Sequence, residues 1–184
     1  LKALTSRVGP IQIVYAGKAH PADDKGKALI QRIVQMKAAV TPHVKVAFVA
    51  NYDMELAKLL TSGVDVWLNT PLPPLEASGT SGMKAAINGV PSLSVLDGWW
   101  VEGHIEGVTG WSIGEPPERR PDGIDHSPED AVSLYQKLEQ DVMPLYNRNR
   151  ERFQDIMRYA IAFNGSFFNT QRMVEQYVVN AYFR

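Results

Sequence analysis

The sequence has no cysteine, which excludes disulfides, thiol catalysis and cysteine-bound zinc. Histidine is sparse: His20, His43, His104 and His126 show no i, i+4 or clustered spacing, so they do not read as a metal site. No sign of charge dominates. Lys and Arg number 19 against 20 Asp and Glu, a formal net charge of -1, which implies no general affinity for nucleic acid or anionic membrane. No stretch approaches the ~20 apolar residues of a membrane span, and no charged n-region with an apolar run opens the chain. A cytoplasmic location is the default that follows. Nucleotide fingerprints are missing as well: Gly79 to Gly82 is not G-x-G-x-x-G, and no G-x-x-x-x-G-K-[ST] occurs.

What is present is ordinary for a globular chain, 184 residues with 45% hydrophobic and 21% charged. That length suits one domain, or one with a helical appendage. It buries roughly 70% of the surface its unfolded form exposes, so the core needs no staples. LKALTSR begins without Met; the reading takes it straight into a strand and expects that upstream sequence has been removed.

The strand candidates are Ile11 to Tyr15, Val44 to Ala50, Val64 to Leu68, Ser92 to Leu96 and Thr109 to Ile113, each a short β-branched or aromatic run. Between them lie helices. Pro21, Asp23 and Asp24 start one whose apolar positions Ala28, Leu29, Ile33, Val34 and Met36 recur at helical spacing, and Thr41-Pro42 ends it. Tyr52 to Leu60 is a second, closed by Gly63. Met83 to Ile87 begins a third, capped by Asn88-Gly89. Alternating strands and helices predict an α/β fold, a parallel sheet of about five or six strands covered on both faces, with ligands at the carboxyl ends of the strands. From Ser127 onward the pattern is helical, and the Pro-rich stretch Glu115 to Ser127 reads as the flexible or inserted segment. The domain reading is 1–126 for the sheet domain and 127–184 for a C-terminal helical segment packed on it.

The chemistry concentrates in NTPLPPLEASGTSGMKAAING, residues 69–89. Three prolines stiffen it, and Gly79 and Gly82 allow tight turning and close approach to a ligand. Ser78, Thr80 and Ser81 are good helix N-caps with free hydroxyls. Unpaired N–H groups and the positive end of a helix dipole make this an anion site, for which phosphate is the usual occupant. Lys84 falls one turn or less inside the helix, and Glu76 precedes the glycines where it can accept hydrogen bonds from hydroxyls. The same pattern is also that of an ordinary Gly/Ser/Thr turn before a helix with a solvated lysine, and spacing alone leaves both readings open.

EASGTSGMKAAING resembles the pyridoxal-phosphate segment of the α-glucan (glycogen, starch and maltodextrin) phosphorylases, close to E-A-S-G-T-x-x-M-K with N-G shortly after. YAGKAHP, FVANYDMELAKLL and VLDGWWVEG resemble further segments of that family, in order over residues 11–114. DGWW and the N-Y-D context are more like the shorter bacterial and archaeal branch. The resemblance implies the C-terminal half of a two-domain GT-B glycosyltransferase architecture, with a Rossmann-like sheet. It implies reversible phosphorolysis of α-1,4-glucan ends by inorganic phosphate, giving α-D-glucose 1-phosphate with retention. Lys84 would hold pyridoxal phosphate as an imine, the cofactor's phosphate serving the reaction. Gly79, Thr80 and Ser81 would cradle that phosphate, with Tyr52 nearby, while Glu76, Ser78 and Gly79 would grip the glucosyl unit. Asp53 stands where animal enzymes have a basic residue, so that role does not carry over. The family's basic motif for substrate phosphate lies upstream of Leu1, as does the N-terminal domain forming the other cleft wall. The chain thus reads as half an active site, within a full enzyme for which a homodimer is the candidate assembly.

Two other functions compete. A nucleotide-sugar-dependent glucan synthase-like transferase often carries two glutamates with seven residues between; here the second position is Lys84, which has no acceptor for a ribose hydroxyl. A non-catalytic glucan-binding module is the other. Asp97, Trp99, Trp100 and Glu102 suggest either sugar stacking or packing against a neighbouring domain. The aromatics Phe153, Tyr159, Phe163, Phe167, Phe168 and Tyr177 are expected to pack the C-terminal helices on the sheet, and Arg119 and Arg120 to be surface charge.

Overall fold

The β-branched and aromatic runs do form strands: β1 (Gln12–Ala16), β2 (Lys45–Val49), β3 (Trp67–Asn69), β4 (Ser92–Val95) and β5 (Gly110–Ile113). The computed structural model describes residues 2–40, 43–121 and 124–183, so the Thr41-Pro42 helix break lies outside the described residues. The α-helices are α1 (Lys2–Val8), α2 (Asp24–Val40), α3 (Met54–Gly63), α4 (Thr80–Ile87), α5 (Trp100–Gly103), α6 (Ser127–Lys137), α7 (Met143–Arg148), α8 (Arg150–Tyr159) and α9 (Thr170–Tyr177). Leu138–Val142, Ala160–Gly165 and Val178–Tyr182 are π-helical. The opening residues are helical, where the sequence suggested a direct run into a strand.

All ladders among the described strands are parallel, as helical crossovers require. β1 pairs β2 with Gln12 opposite Lys45 and Ala16 opposite Val49. β4 lies between β3 and β5, Leu93 facing Leu68 on one side and Trp111 on the other. The expected single sheet is therefore two, of two and three strands. Apolar runs identify strands but not which edges meet, and that is what the sequence could not decide. The chain correspondingly forms two compact units, residues 1–58 and 59–184, the boundary falling within α3.

In the first unit, capping aspartates set the helix starts. Asp23 Oδ1 accepts from the Gly26 N–H at 2.8 Å and Asp53 Oδ1 from the Leu56 N–H at 2.9 Å, satisfying first-turn donors of α2 and α3. Asp53 thus has a structural task. Asn51, just before Tyr52, adopts φ 58°, a left-handed conformation that asparagine tolerates.

In the second unit, β4 is buried throughout. Leu93, Val95, Trp111 and Ile113 meet Val142, Phe153 and Ile156 from the C-terminal helices. Trp111 and Phe153 stack at 6.3 Å between centroids. Trp99 and Trp100 form a second buried cluster with Ala86, Leu96 and Ala160, against which Phe168 packs. They serve this unit's own core and do not present faces for sugar stacking. Of the aromatics expected to pack inward, Phe153 and Phe168 do so. Tyr159 and Phe163 are partly exposed and stack on each other at 5.5 Å; Phe167 and Tyr177 also remain exposed. Arg119 is exposed but Arg120 is withdrawn from water.

Candidate functional site

Residues 69–89 turn into α4 at Gly79, whose φ of 84° is left-handed and whose N-cap position carries no side-chain hydrogen bond. The helix starts at Thr80, three residues before the expected Met83, because Gly79 O accepts from Gly82 N–H at 3.1 Å and closes the first turn early. Lys84 is consequently the fifth residue, just beyond the first turn. Neither Ser78, Thr80 nor Ser81 caps α4. A helix end without a side-chain cap leaves its first N–H groups available.

The two glycines serve packing. A Cβ at Gly82 would lie 2.7 Å from Trp99 Nε1, and one at Gly79 would lie 3.0 Å from Trp99 Cδ1. Their missing side chains admit the buried tryptophan rather than a ligand, and this seats α4 on the second core cluster. The preceding loop is fastened by the turn after β4. Asp97 Oδ2 accepts from the Glu76 N–H at 2.9 Å, and Ser78 O accepts from the Trp99 N–H at 2.7 Å.

On the other face of α4 lies an open cleft of about 560 Å³. Ser78, Thr80 and Lys84 line it from one side, Asn169 and Arg172 from the other, and no Asp or Glu is among its lining residues. Lys84 is exposed there. The Arg172 guanidinium lies 3.4 Å over the Phe167 ring, and its Nε donates to Phe167 O. Asn169 Oδ1 accepts from the Arg172 N–H at 2.9 Å and caps α9. The N-terminal ends of α4 and α9 thus both border the cleft, together with a lysine and an arginine. Positive potential concentrates where helix N-termini and cations converge without acids, so the cleft suits an oxyanion beside a primary amine.

Of the residues singled out from sequence, the structure brings Ser78, Thr80 and Lys84 together on this cleft. Gly79 backs onto Trp99, and Glu76 lies against the Asp97-Gly98 turn. Ser81 is the second residue of α4, and Tyr52 belongs to the first unit, between β2 and α3. Sequence reasoning missed Arg172. Its signal was a cation in the first turn of a helix, where it opposes the dipole. It also missed the role of Asp97, which depends on a partner 21 residues away.

Parallel sheets with intervening helices define an α/β domain, in which a glycine-started helix carries a lysine at a cleft with no acid among its lining residues. Residues 1–109 match the family model Phosphorylase (carbohydrate phosphorylase), and the chain belongs to that family. It is 46% identical over 176 residues to a maltodextrin phosphorylase of Thermococcus litoralis, covering 94% of this chain and 21% of that protein. It is 46% identical over 178 residues to a glycogen phosphorylase of Aquifex aeolicus, covering 94% and 25%. A glycogen phosphorylase of Mycobacterium tuberculosis is 44% identical over 182 residues, covering 94% and 20%. The chain therefore spans a fifth to a quarter of the length of these relatives. Among the described residues, no helix is long and apolar enough to cross a membrane.

Proposed function

We propose that the chain is part of an α-glucan phosphorylase, with pyridoxal phosphate held at Lys84. The observation that carries this reading is the Lys84 amino group, which has no hydrogen-bond or ion-pair partner among the described residues and stands in a cleft free of acids. The donor set fits the cofactor: a primary amine, the Thr80 hydroxyl and the first N–H groups of an α4 without a side-chain cap. When bound, the cofactor supplies a phosphate group beside the reacting sugar, as proton partner and electrostatic brace.

This chain's residues then have separate tasks. Lys84 anchors, while Gly79, Thr80 and Ser81 donate to phosphate oxygens, Thr80 through its hydroxyl as well. Glu76 accepts from hydroxyls of the terminal glucosyl unit, and Ser78 and Gly79 offer it backbone groups. Inorganic phosphate gives its proton to the glycosidic oxygen, the glucan leaves, and a phosphate oxygen bonds to the anomeric carbon, yielding α-D-glucose 1-phosphate. The proposal extends to the fold: residues 1–126 as the Rossmann-like C-terminal half of a GT-B enzyme, residues 127–184 packed on it. The burial of Phe153 and Ile156 against β4 and β5 supports that packing. A cytoplasmic homodimer, completed by an N-terminal domain, is the assembly proposed.

The test is Lys84→Ala in the full-length enzyme. Cofactor absorbance after dialysis and glucose 1-phosphate release from maltodextrin should both be lost. Equal cofactor occupancy in wild type and variant would overturn the assignment of Lys84.

A further inference from the structure

The loop that presents Glu76 and Ser78 is held by a turn distant in sequence. Asp97 Oδ2 accepts from Glu76 N–H and Asp97 Oδ1 from Gly98 N–H, both at 2.9 Å. The Trp99 N–H donates to Ser78 O at 2.7 Å. Gly98 allows the approach: its φ of +54° is left-handed, and a Cβ there would lie 2.6 Å from Ser78 O and 3.0 Å from Glu76 Cγ. The turn is anchored in turn by Trp99, which is buried at 5% exposure.

We infer that Asp97 is a positioning residue, whose carboxylate fixes the Glu76 backbone so that the Glu76 side chain and Ser78 meet the sugar in one geometry. Two observations carry this. The carboxylate spends one oxygen on each of two backbone N–H groups, one in the loop and one in its own turn, so it links the two segments. The contact is charge-assisted, which makes it stronger than a neutral one. Glu76 Cγ lies against Gly98, 3.0 Å from where a Cβ there would stand, so a displaced Glu76 amide displaces the side chain packed on the turn and the carboxylate it carries. The inference rests on the reading of Glu76 as the sugar-gripping group, and assigns the residue that aims it.

The test uses the full-length holoenzyme with Asp97→Asn, Glu76→Gln and the double variant. Asn preserves shape but sets an amide NH₂ against one of the two N–H donors. Measured with glucose 1-phosphate as the probe, kcat/KM should fall about 10- to 100-fold in Asp97→Asn, the range expected for one lost charge-assisted hydrogen bond. Cofactor occupancy by absorbance should stay at the wild-type level. The double variant should be no worse than Glu76→Gln alone, because residues acting through one another are not additive. Wild-type kcat/KM in Asp97→Asn beside an impaired Glu76→Gln would overturn the Asp97 assignment alone. Fully multiplicative losses would also overturn it. Wild-type activity in Glu76→Gln would instead overturn the reading on which it rests. Where Asp97→Asn does not fold, Gly98→Ala displaces the same loop without touching the carboxylate and must show the same non-additivity.

Discussion

The Arg120 guanidinium meets the Asp130 carboxylate end-on, Nη2 to Oδ1 at 2.7 Å and Nη1 to Oδ2 at 3.0 Å. The two side chains are 7% and 15% exposed. Nε also donates to Glu115 O at 2.6 Å, and Nη2 to Ile113 O at 3.3 Å. One arginine thus ties the end of β5, the Pro-rich loop and the first turn of α6 together. Removing it leaves Asp130 withdrawn from water without a cation. Arg120→Ala should destabilise the protein by about 3 kcal/mol, read from the urea midpoint. Arg120→Lys should not restore it, since an ammonium cannot match the two-pronged geometry. A midpoint equal to wild type in either variant would count against this role.

Glu106 offers a pH dependence. Burial alone would raise its carboxyl, but His104, Lys137 and Ser112 all donate to it and hold it down to about 2. Oε2 takes the His104 Nε2 contact at 2.7 Å and the Ser112 N–H and hydroxyl at 3.0 Å each. A folded-state value below the ordinary 4.5 stabilises the folded state above that value, and the contribution is lost as pH falls toward 2. The side chain is 41% exposed, so solvent screening keeps the effect small. The prediction is a wild-type melting temperature that falls more between pH 6 and pH 2.5 than that of Glu106→Gln. Parallel curves would refute it.

Gly82→Ala sets two effects against each other. Alanine gains about 1 kcal/mol of helix propensity over glycine, but its Cβ would lie 2.7 Å from Trp99 Nε1 and 3.0 Å from two further ring atoms. Overpacking a buried indole costs about 1–3 kcal/mol, and Trp99 has Trp100 at 5.1 Å and Phe168 at 5.2 Å limiting its retreat. Net destabilisation with a shifted tryptophan emission spectrum is expected. A variant as stable as wild type with an unchanged spectrum would show that α4 moves freely away from Trp99.

These contacts mark where sequence reading stops. The strands were legible because β-branched and aromatic runs bounded by turn residues have few other uses, and each observed strand falls within or beside its expected run. The start of α2 was legible because its cap, Asp23, is local. Arg120 read as surface charge because its partner is ten residues away on another element. Trp99 and Trp100 read as a surface cluster because nothing in DGWW announces that Gly79 and Gly82 are shaped to receive Trp99. Composition shows that a glycine is present; only the fold shows what occupies the missing side chain.

The 184-residue chain alone should release no glucose 1-phosphate from maltodextrin, even with pyridoxal phosphate added. The reaction needs two phosphate groups side by side, each carrying up to two negative charges near neutrality. The cleft beside α4 supplies Lys84 and Arg172 as its cations, and Arg172 already commits its Nε to Phe167 O. One free and one partly committed cation do not balance two phosphates, and an anion moved from water without a partner costs several kcal/mol. The cleft is also open, so attraction to the remaining charges is screened within ~10 Å at ordinary salt. Helix N-termini help with about half a charge each, enough for one phosphate group and not for a second held against its repulsion. The chain should therefore take up inorganic phosphate or cofactor weakly, with affinity falling as salt rises, and remain without turnover. Measurable glucose 1-phosphate from the purified chain would mean that these residues complete the active site, and the charge argument would fail.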